Sequence, residues 1–499
     1  MNIDELTKMS TGGIFQLIAN TGRQDRMLMA TDLLRKRLDK VYKLRCKRPD
    51  IRDPTPTLVD IERTHIFYMN AHFKPFVAIG YEYNHTSVQE GEAKFGGEVS
   101  FSIPQFGDFF HDMVVHVQIN PFTLAGFDIG QYFDFPGHKL FKRTKFEVNG
   151  NFLDEYDSDT YNFHYQFRVP EYNRVNWKRC VGQQVLRLGK VDQSASDVHQ
   201  EHRLISVGPQ TPSDAFRVLD MWIPLLFWFN KDPRLSIPSV SIPYGQRFIR
   251  IELATFPEIF TLNPLSFTIP PTIAIMDLYI NNIFVNPEIH DIFIQRVGFT
   301  LIRVHRTERA NVDQQRAEIL FDQLKFPVET FYMGVHMDVL INDPEDWWKF
   351  YLPDDATYVT ADAIPNPGIP PPVNIIIAAD VTFEVDQIPI LDTLRLTTHG
   401  IELYRETPAK FFNCYVPYNY GGASVGSPED IGAYMITFNL YPGAYQPSGH
   451  INLSNTREFF VGYSSQVLTP IDTGVLVVVA VALNFLLIAD GSAVLRYNT

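Results

Sequence analysis

The sequence closes each of its halves in the same way, with a strand, a loop carrying Pro-Ser and a second strand. An aromatic run from Trp222 to Phe229 leads into a Pro-rich loop (KDPRLSIPSVSIPYG, from Lys231) and then QRFIRIEL from Gln246. Near the C-terminus YMITFNLY from Tyr434 leads through PGAYQPSGHINLS into REFFVGY from Arg457. In the first copy Ile249, Ile251 and Leu253 share one face, and Arg250 and Glu252 the other. In the second, Tyr434, Ile436, Phe438 and Leu440 line one face. A period of two marks β-strands with one buried side. The doubling predicts two β-bodies of like design in one chain. With no catalytic motif attached, it points to a building block rather than an enzyme.

A chain of 499 residues has room for two or three domains. Its 39 Phe and 23 Tyr favour strands, while its 34 Pro are tolerated mainly in loops and at sheet edges. Together they predict many strands joined by irregular loops. A net charge of −14 argues against direct contact with nucleic acid, which calls for a basic surface. Cys46, Cys180 and Cys414 are too few and too scattered for a disulfide framework or a zinc site, and they fit a reducing compartment. The polar, acidic start MNIDELTKMS does not read as a signal peptide. The most apolar stretch, Val475 to Ala489 with Asn484 inside it, is shorter than the ~20 residues of a membrane helix. Its Val-rich character predicts a strand buried on both faces.

Residues 1–62 stand apart. Met27, Ala30, Leu34 and Leu38 have helical spacing within Gln24 to Leu38. Arg35, Lys36, Arg37, Lys40, Lys43, Arg45, Lys47, Arg48 and Arg52 face only two acids, a local balance of +7 that leaves −21 to the rest of the chain. Asp53-Pro-Thr-Pro closes this arm as an extended linker. Such a basic arm suits an acidic partner or an anionic membrane surface, as well as simple solvation. Strand signals dominate from Thr64, and Asn149-Gly150 predicts a hairpin turn because both residues tolerate positive φ. Long polar or Pro/Gly-bearing loops are expected at 120–140 and 188–216. The largest irregular piece is expected from Asn342 to Val373. The expected division is an arm over 1–62, a first β-body with a connecting region over 63–292, and a second β-body over 293–499.

Few residue groups suggest chemistry. GASVG around Ser424 matches a nucleophile elbow, but that motif needs a strand before it and a helix after it, and here a flexible loop is expected. Asp154, Glu155, Asp157 and Asp159 lack the spacing of a calcium loop and read as a solvated acidic turn. His111 with His116, and His199 with His202, have no third ligand nearby and read as ordinary surface or packed histidines. No cofactor motif is present.

Longer blocks carry a family resemblance. GGIFQLIANTGRQDRMLMATDLL from Gly12, AHFKPFVAIGYEYN from Ala71, IPQFGDFFHDMV from Ile103 and FEVNGNFLDEY from Phe146 come in order. IPSVSIPYGQRFI from Ile237, LYINNIFVNPEIHDIFIQRV from Leu278, HGIELY, QPSGHINLS and NFLLIADGSAVLRY follow. In these blocks the chain resembles the major capsid proteins of African swine fever virus and its relatives among large DNA viruses of amoebae. It is shorter than the swine fever virus protein, with the missing length expected after Val117, between Leu188 and Val207, and around 340–390, where the family builds outward turrets. Its arm from Arg35 is more basic than expected for the family.

The resemblance implies an all-β double jelly roll, two eight-stranded β-sandwiches side by side. It implies a homotrimer of pseudo-hexagonal outline that meets neighbouring trimers, minor capsid proteins and penton proteins in an icosahedral shell. That shell lies outside an internal membrane, is assembled in the host cytoplasm, and would have the N-terminal arm at its inner face. The competing reading is a lectin-like or glycan-binding jelly roll, which needs a cleft with aromatics beside paired carboxylates.

Overall fold

Alternating apolar residues become strands wherever two sheets can close over them, and the chain does this sixteen times in its principal elements. The computed structural model describes residues 80–126, 128–184, 187–190, 202–205, 209–242, 246–261, 266–285, 298–358, 381–398, 400–422, 424–453, 459–489 and 492–496. The helix expected over Gln24–Leu38, the Pro linker and all nine basic residues from Arg35 to Arg52 lie outside them.

The first eight strands are β1 (Gly80–Ser87), β2 (Glu98–Ser102), β3 (Phe109–Ile119), β4 (Phe141–Val148), β5 (Asn151–Asp157), β6 (Leu219–Pro224), β7 (Arg247–Leu253) and β8 (Ile273–Phe284). They form two antiparallel sheets, ordered β1-β8-β3-β6 and β2-β7-β4-β5. The second eight are β9 (Gly298–Val312), β10 (Arg316–Leu320), β11 (Pro327–Met337), β12 (Thr393–Thr398), β13 (Ile401–Pro408), β14 (Tyr434–Thr437), β15 (Phe459–Ser464) and β16 (Gly474–Ala489). Their sheets are ordered β9-β16-β11-β14 and β10-β15-β12-β13. Each half repeats one strand order, that of a jelly roll, and among the described residues no sheet mixes strands of the two rolls.

The repeated pattern behaves differently in its two copies. In β7, Ile249, Ile251 and Leu253 are buried, while Glu252 is exposed, as the alternation predicts. In the second copy the strand stops at Thr437. Tyr434, Met435 and Ile436 are all buried, whereas Leu440 is exposed beyond the strand end. Alternation fails there because β14 has cover on both faces. The Val-rich run forms β16, buried at every position from Leu476 to Asn484. The Asn149-Gly150 turn links β4 to β5, with φ of 52° and 76°. Fully buried Phe110 and Phe146 meet edge-on in the first core at 6.3 Å, each contributing on the order of 1.5–3 kcal/mol by burial.

Helices fill the ends of the rolls. Short α1 (Pro136–Leu140) precedes β4, and α2 (Ser158–Phe167) and α3 (Glu171–Cys180) follow β5. In the second roll a π-helical turn, Phe411–Tyr415, runs into α4 (Val416–Tyr420) after β13. Three loop expectations need correction. Residues 120–140 are not a polar loop, since Phe122, Leu124, Tyr132, Phe135 and Leu140 are buried there. The irregular piece expected from Asn342 is interrupted by a strand, Tyr351–Tyr358, paired with Val381–Pro389. A two-stranded pairing, Arg187–Lys190 with His202–Ile205, likewise interrupts the loop expected at 188–216.

Candidate functional site

The acidic stretch after the Asn149-Gly150 turn is not a solvated turn. It is the seam along which the first roll meets the second. Asp154, Asp157 and Asp159 are all buried. Alternation along β5 turns Asp154 inward toward β9, and Asp157 ends the strand as the N-cap of α2. Asp157 accepts hydrogen bonds from the Thr160 backbone N at 3.2 Å and Oγ1 at 3.1 Å. The capping geometry places Asp159 in the first helical turn, aimed at β9 and β11.

Each acid meets a base of the second roll. The His305 backbone N donates to Asp154 Oδ1 at 2.8 Å, and His305 Nδ1 lies 3.2 Å from Asp154 Oδ2. Arg309 Nη2 bridges Asp157 at 2.6 Å and Asp159 at 2.5 Å. His336 Nε2 stands 3.1 Å from Asp159 Oδ1. Burial works against the Asp159 charge, but the hydrogen bond and charge of His336 and the Arg309 guanidinium hold its carboxyl well below the usual range. Asp157 is pushed up by burial and by its neighbour Asp159. Behind them Lys231 Nζ lies 3.3 Å from His305 Nε2, and burial brings the Lys231 ammonium down to about 7.

Apolar and neutral contacts extend the seam. Phe163 of α2 stacks on Phe350 at 4.5 Å, and Phe167 meets Tyr332 at 5.0 Å. Gln166 Oε1 accepts from the backbone N of Glu429 and Asp430 at 3.0 and 3.3 Å. Arg174 pairs with Glu429, and Trp347 Nε1 donates to the Asp134 carbonyl at 2.6 Å. A buried ion-pair set of this kind gives little net stability against an apolar equivalent, but removing one partner strands a buried charge. Its directional bonds fix how one roll sits on the other.

The basic side of the seam had a signal in the sequence. Arg303, His305, Thr307 and Arg309 recur with period two, which puts three bases on one face of β9. Nothing in the sequence pairs that face with the acids some 150 positions earlier.

Because both rolls share one strand order, every surface in the seam has a counterpart. In the second roll the sheet β9-β16-β11-β14 is covered by β5 and α2, so that all eleven residues of β11 are buried. The matching sheet β1-β8-β3-β6 has no such cover among the described residues. Its outer face displays Tyr83, His85, Val114, His116, Trp222 and Tyr279. The rings form a continuous platform. His116 stacks on Trp222 at 4.2 Å, Trp222 meets Tyr279 at 4.9 Å, and Tyr279 stacks on His85 at 5.4 Å. His116 Nε2 is held 2.6 Å from Asp220 Oδ1, and Tyr83 OH donates to Asp112 at 2.8 Å. Conversely, β5 and α2 are buried, whereas their counterparts β13 and α4 are not. Ile401 is 66% exposed and Tyr418 81% exposed. The histidine pair expected to be unremarkable thus divides, with His111 buried and His116 part of the outer platform.

Ser424 follows a helix and precedes irregular backbone, without the strand-to-helix order an elbow needs. Among the described residues no group of three or more His, Cys, Asp or Glu is arranged to hold a metal.

Two family models divide the chain between them. Residues 78–286 match the major capsid protein N-terminus, and residues 284–494 match the large eukaryotic DNA virus major capsid protein. The chain is 33% identical to the major capsid protein of African swine fever virus (isolate Pig/Kenya/KEN-50/1950), covering 98% of this chain and 100% of that one. That alignment spans 652 positions, so the relative carries insertions that this chain lacks. Among solved structures the Faustovirus major capsid protein superposes with a TM-score of 0.75 at 34% identity, over 93% of this chain and 99% of that one. The PBCV-1 virus capsid shares the fold with a TM-score of 0.61 at 19% identity, over 86% and 98%.

Proposed function

Given that the chain belongs to the family of large eukaryotic DNA virus major capsid proteins, we propose that three copies join head to tail by repeating between chains the contact that already joins the two rolls within one. One observation carries this reading. The two surfaces left uncovered among the described residues, the face of β1-β8-β3-β6 and the β13–α4 edge, are the counterparts of the two surfaces buried in the seam. The β13–α4 edge of one copy covers the aromatic platform of the next. Such a contact is heterologous, and it forms a closed ring only when its rotation closes. Three chains of two like rolls supply six positions, which gives a pseudo-hexagonal outline. A permanent interface of this kind buries above ~2,000 Å² per pair.

The test uses exposed residues, whose loss leaves each roll intact. Trp222→Asp and Tyr418→Asp should each convert trimers to folded monomers in sedimentation velocity, with unchanged circular dichroism. Trimers that persist in both variants would overturn the arrangement.

Around that interface we propose the rest of the capsid role. The division falls at 1–62, 63–292 and 293–499. The trimers tile an icosahedral shell with neighbouring trimers, minor capsid proteins and penton proteins, and assemble in the host cytoplasm. The chain acts by association alone, without catalysis. The basic residues between Arg35 and Arg52 bind an anionic surface, the internal membrane or acidic minor capsid proteins, each charge contributing on the order of 1 kcal/mol.

A further inference from the structure

A groove of about 420 Å³ opens beside the ion pairs of the seam, and both rolls line it. Its floor and walls are largely apolar, with Phe133 and Pro257 from the first roll and Ile341, Trp347, Val475 and Val477 from the second. At this volume it has room for roughly a dozen waters at about 30 Å³ each, which is also the scale of a small organic ligand.

The charged groups at its rim are paired, with one exception. Arg309 and His336 are held by Asp159, and Lys142 sits 3.0 Å from Glu258. Glu258 is further engaged by Thr255 through the capping box. Lys139 makes no ion pair among the described residues. Its Nζ lies 3.6 Å from the Phe133 ring centre and 4.7 Å from that of Trp347, and it donates to the Ile341 carbonyl at 3.4 Å. Burial brings its ammonium down to about 7. Cation–π contacts compensate only part of the cost of taking such a charge from water. The nearest acid whose charge it feels, Glu258, is already paired to Lys142.

We propose that this groove is a binding site for a small amphiphilic carboxylate, whose apolar body lies between Trp347 and Val477 while its carboxylate pairs with Lys139 Nζ. The chemistry follows from what the groove offers, a cation held only by ring faces and a carbonyl beside an apolar wall. Because the walls come from both rolls, an occupant clamps the seam. It stabilises the joined state by mass action in proportion to its saturation.

The test is thermal unfolding and calorimetric titration of the full chain with sodium octanoate, sodium 3-phenylpropionate and octylamine. Both carboxylates should raise the unfolding temperature saturably, and octylamine should not. Preference for octanoate would assign the site to acyl chains of lipid origin, and preference for 3-phenylpropionate to aromatic acids. Lys139→Met keeps the apolar stem and should weaken carboxylate binding at least about tenfold, as expected for loss of a charge-assisted bond. Ile341→Trp, at a partly exposed position, should block the groove without touching that charge. Saturable binding that survives both variants, octylamine binding as well as octanoate, or no response to either carboxylate would each overturn the proposal.

Discussion

His138 is the most sharply testable residue of the first roll. It is buried in α1, stacked between Phe135 at 4.9 Å and Tyr161 at 5.4 Å. The Trp177 indole N–H donates to its Nε2 at 2.9 Å, and an indole can only donate, so Nε2 carries no proton. The proton is on Nδ1, which faces Asn162 Oδ1 at 3.1 Å. One imidazole thereby ties α1 to α2 and α3. Charging it would set a second N–H against that of Trp177 in a buried site, and burial lowers its pKa to about 3. The unfolded chain takes up this proton near pH 6.5, whereas the folded one resists until about pH 3. The stabilising effect of the neutral ring is therefore complete above pH 6.5 and is lost as pH falls toward 3. At pH 5 the loss is roughly 2 kcal/mol, from the about 1.5 pH units between 6.5 and 5 at about 1.36 kcal/mol each. Other buried groups titrate in the same range. Asp134 and Asp430, both raised to about 6 by burial, favour the folded state as pH falls. The measurement must therefore be a difference. Hydrogen exchange of the α1, α2 and α3 amides, corrected for intrinsic rate, should be followed in the wild type and in His138→Gln between pH 7.5 and 5. The protection ratio of wild type to variant should fall about thirtyfold across that range. A constant ratio would refute the tautomer argument and the lowered pKa together.

Two further outcomes follow from the charges. Arg303 holds the buried Glu329 in the second roll, with its Nε 2.5 Å and Nη2 3.2 Å away, so Arg303→Met should destabilise that roll by about 3–5 kcal/mol in urea unfolding. Replacing Arg35, Lys36, Arg37, Lys40 and Lys43 with Gln should leave trimers intact but weaken binding to anionic vesicles and remove its salt dependence. Unchanged vesicle binding would show those charges to be merely solvated.

What could be read from the sequence depended on how many faces of a strand are buried, and by what. Where one face meets a core and the other water, alternation is faithful, as at Ile249, Ile251 and Leu253. Where both faces are buried by residues adjacent in the fold, a continuous apolar run reports it, as in β16. The reading failed where the second cover came from a distant part of the chain. Tyr434, Met435 and Ile436 lie on a sheet whose outer side is closed by the first roll, and local pattern carries no trace of that. The buried aromatics of 120–140 sit in elements too short to show a period, so local pattern predicts a loop there.

The acidic stretch from Asp154 to Asp159 shows the same failure in polar residues, and it explains how one design yields both a joined chain and a free surface. In isolation, four acids within six residues belong in water, because burying one unpaired charge costs several kcal/mol. Asp154, Asp157 and Asp159 are buried because β9 presents bases at matching period and α2 delivers Asp159 one turn further on. The second roll has the same strand and helix in the same places, but there the sequence reads IELYRETP, and Arg405 makes its contact with Glu402 of its own strand at 2.9 Å. The charges on β13 are thus satisfied locally and leave Ile401, Leu403 and Tyr418 as apolar contact surface. The first copy of the contact is fixed by ion pairs that need no partner chain. In the proposed trimer the second is left to apolar and aromatic burial, which accumulates only when another copy arrives. A repeated fold with two differently written edges therefore distinguishes folding from assembly, since seam charges should govern whether the monomer holds together and platform rings whether trimers form. If Trp222→Asp loosened the seam, or removal of Arg309 dissociated trimers while leaving hydrogen exchange across the seam unchanged, that separation of roles would be wrong.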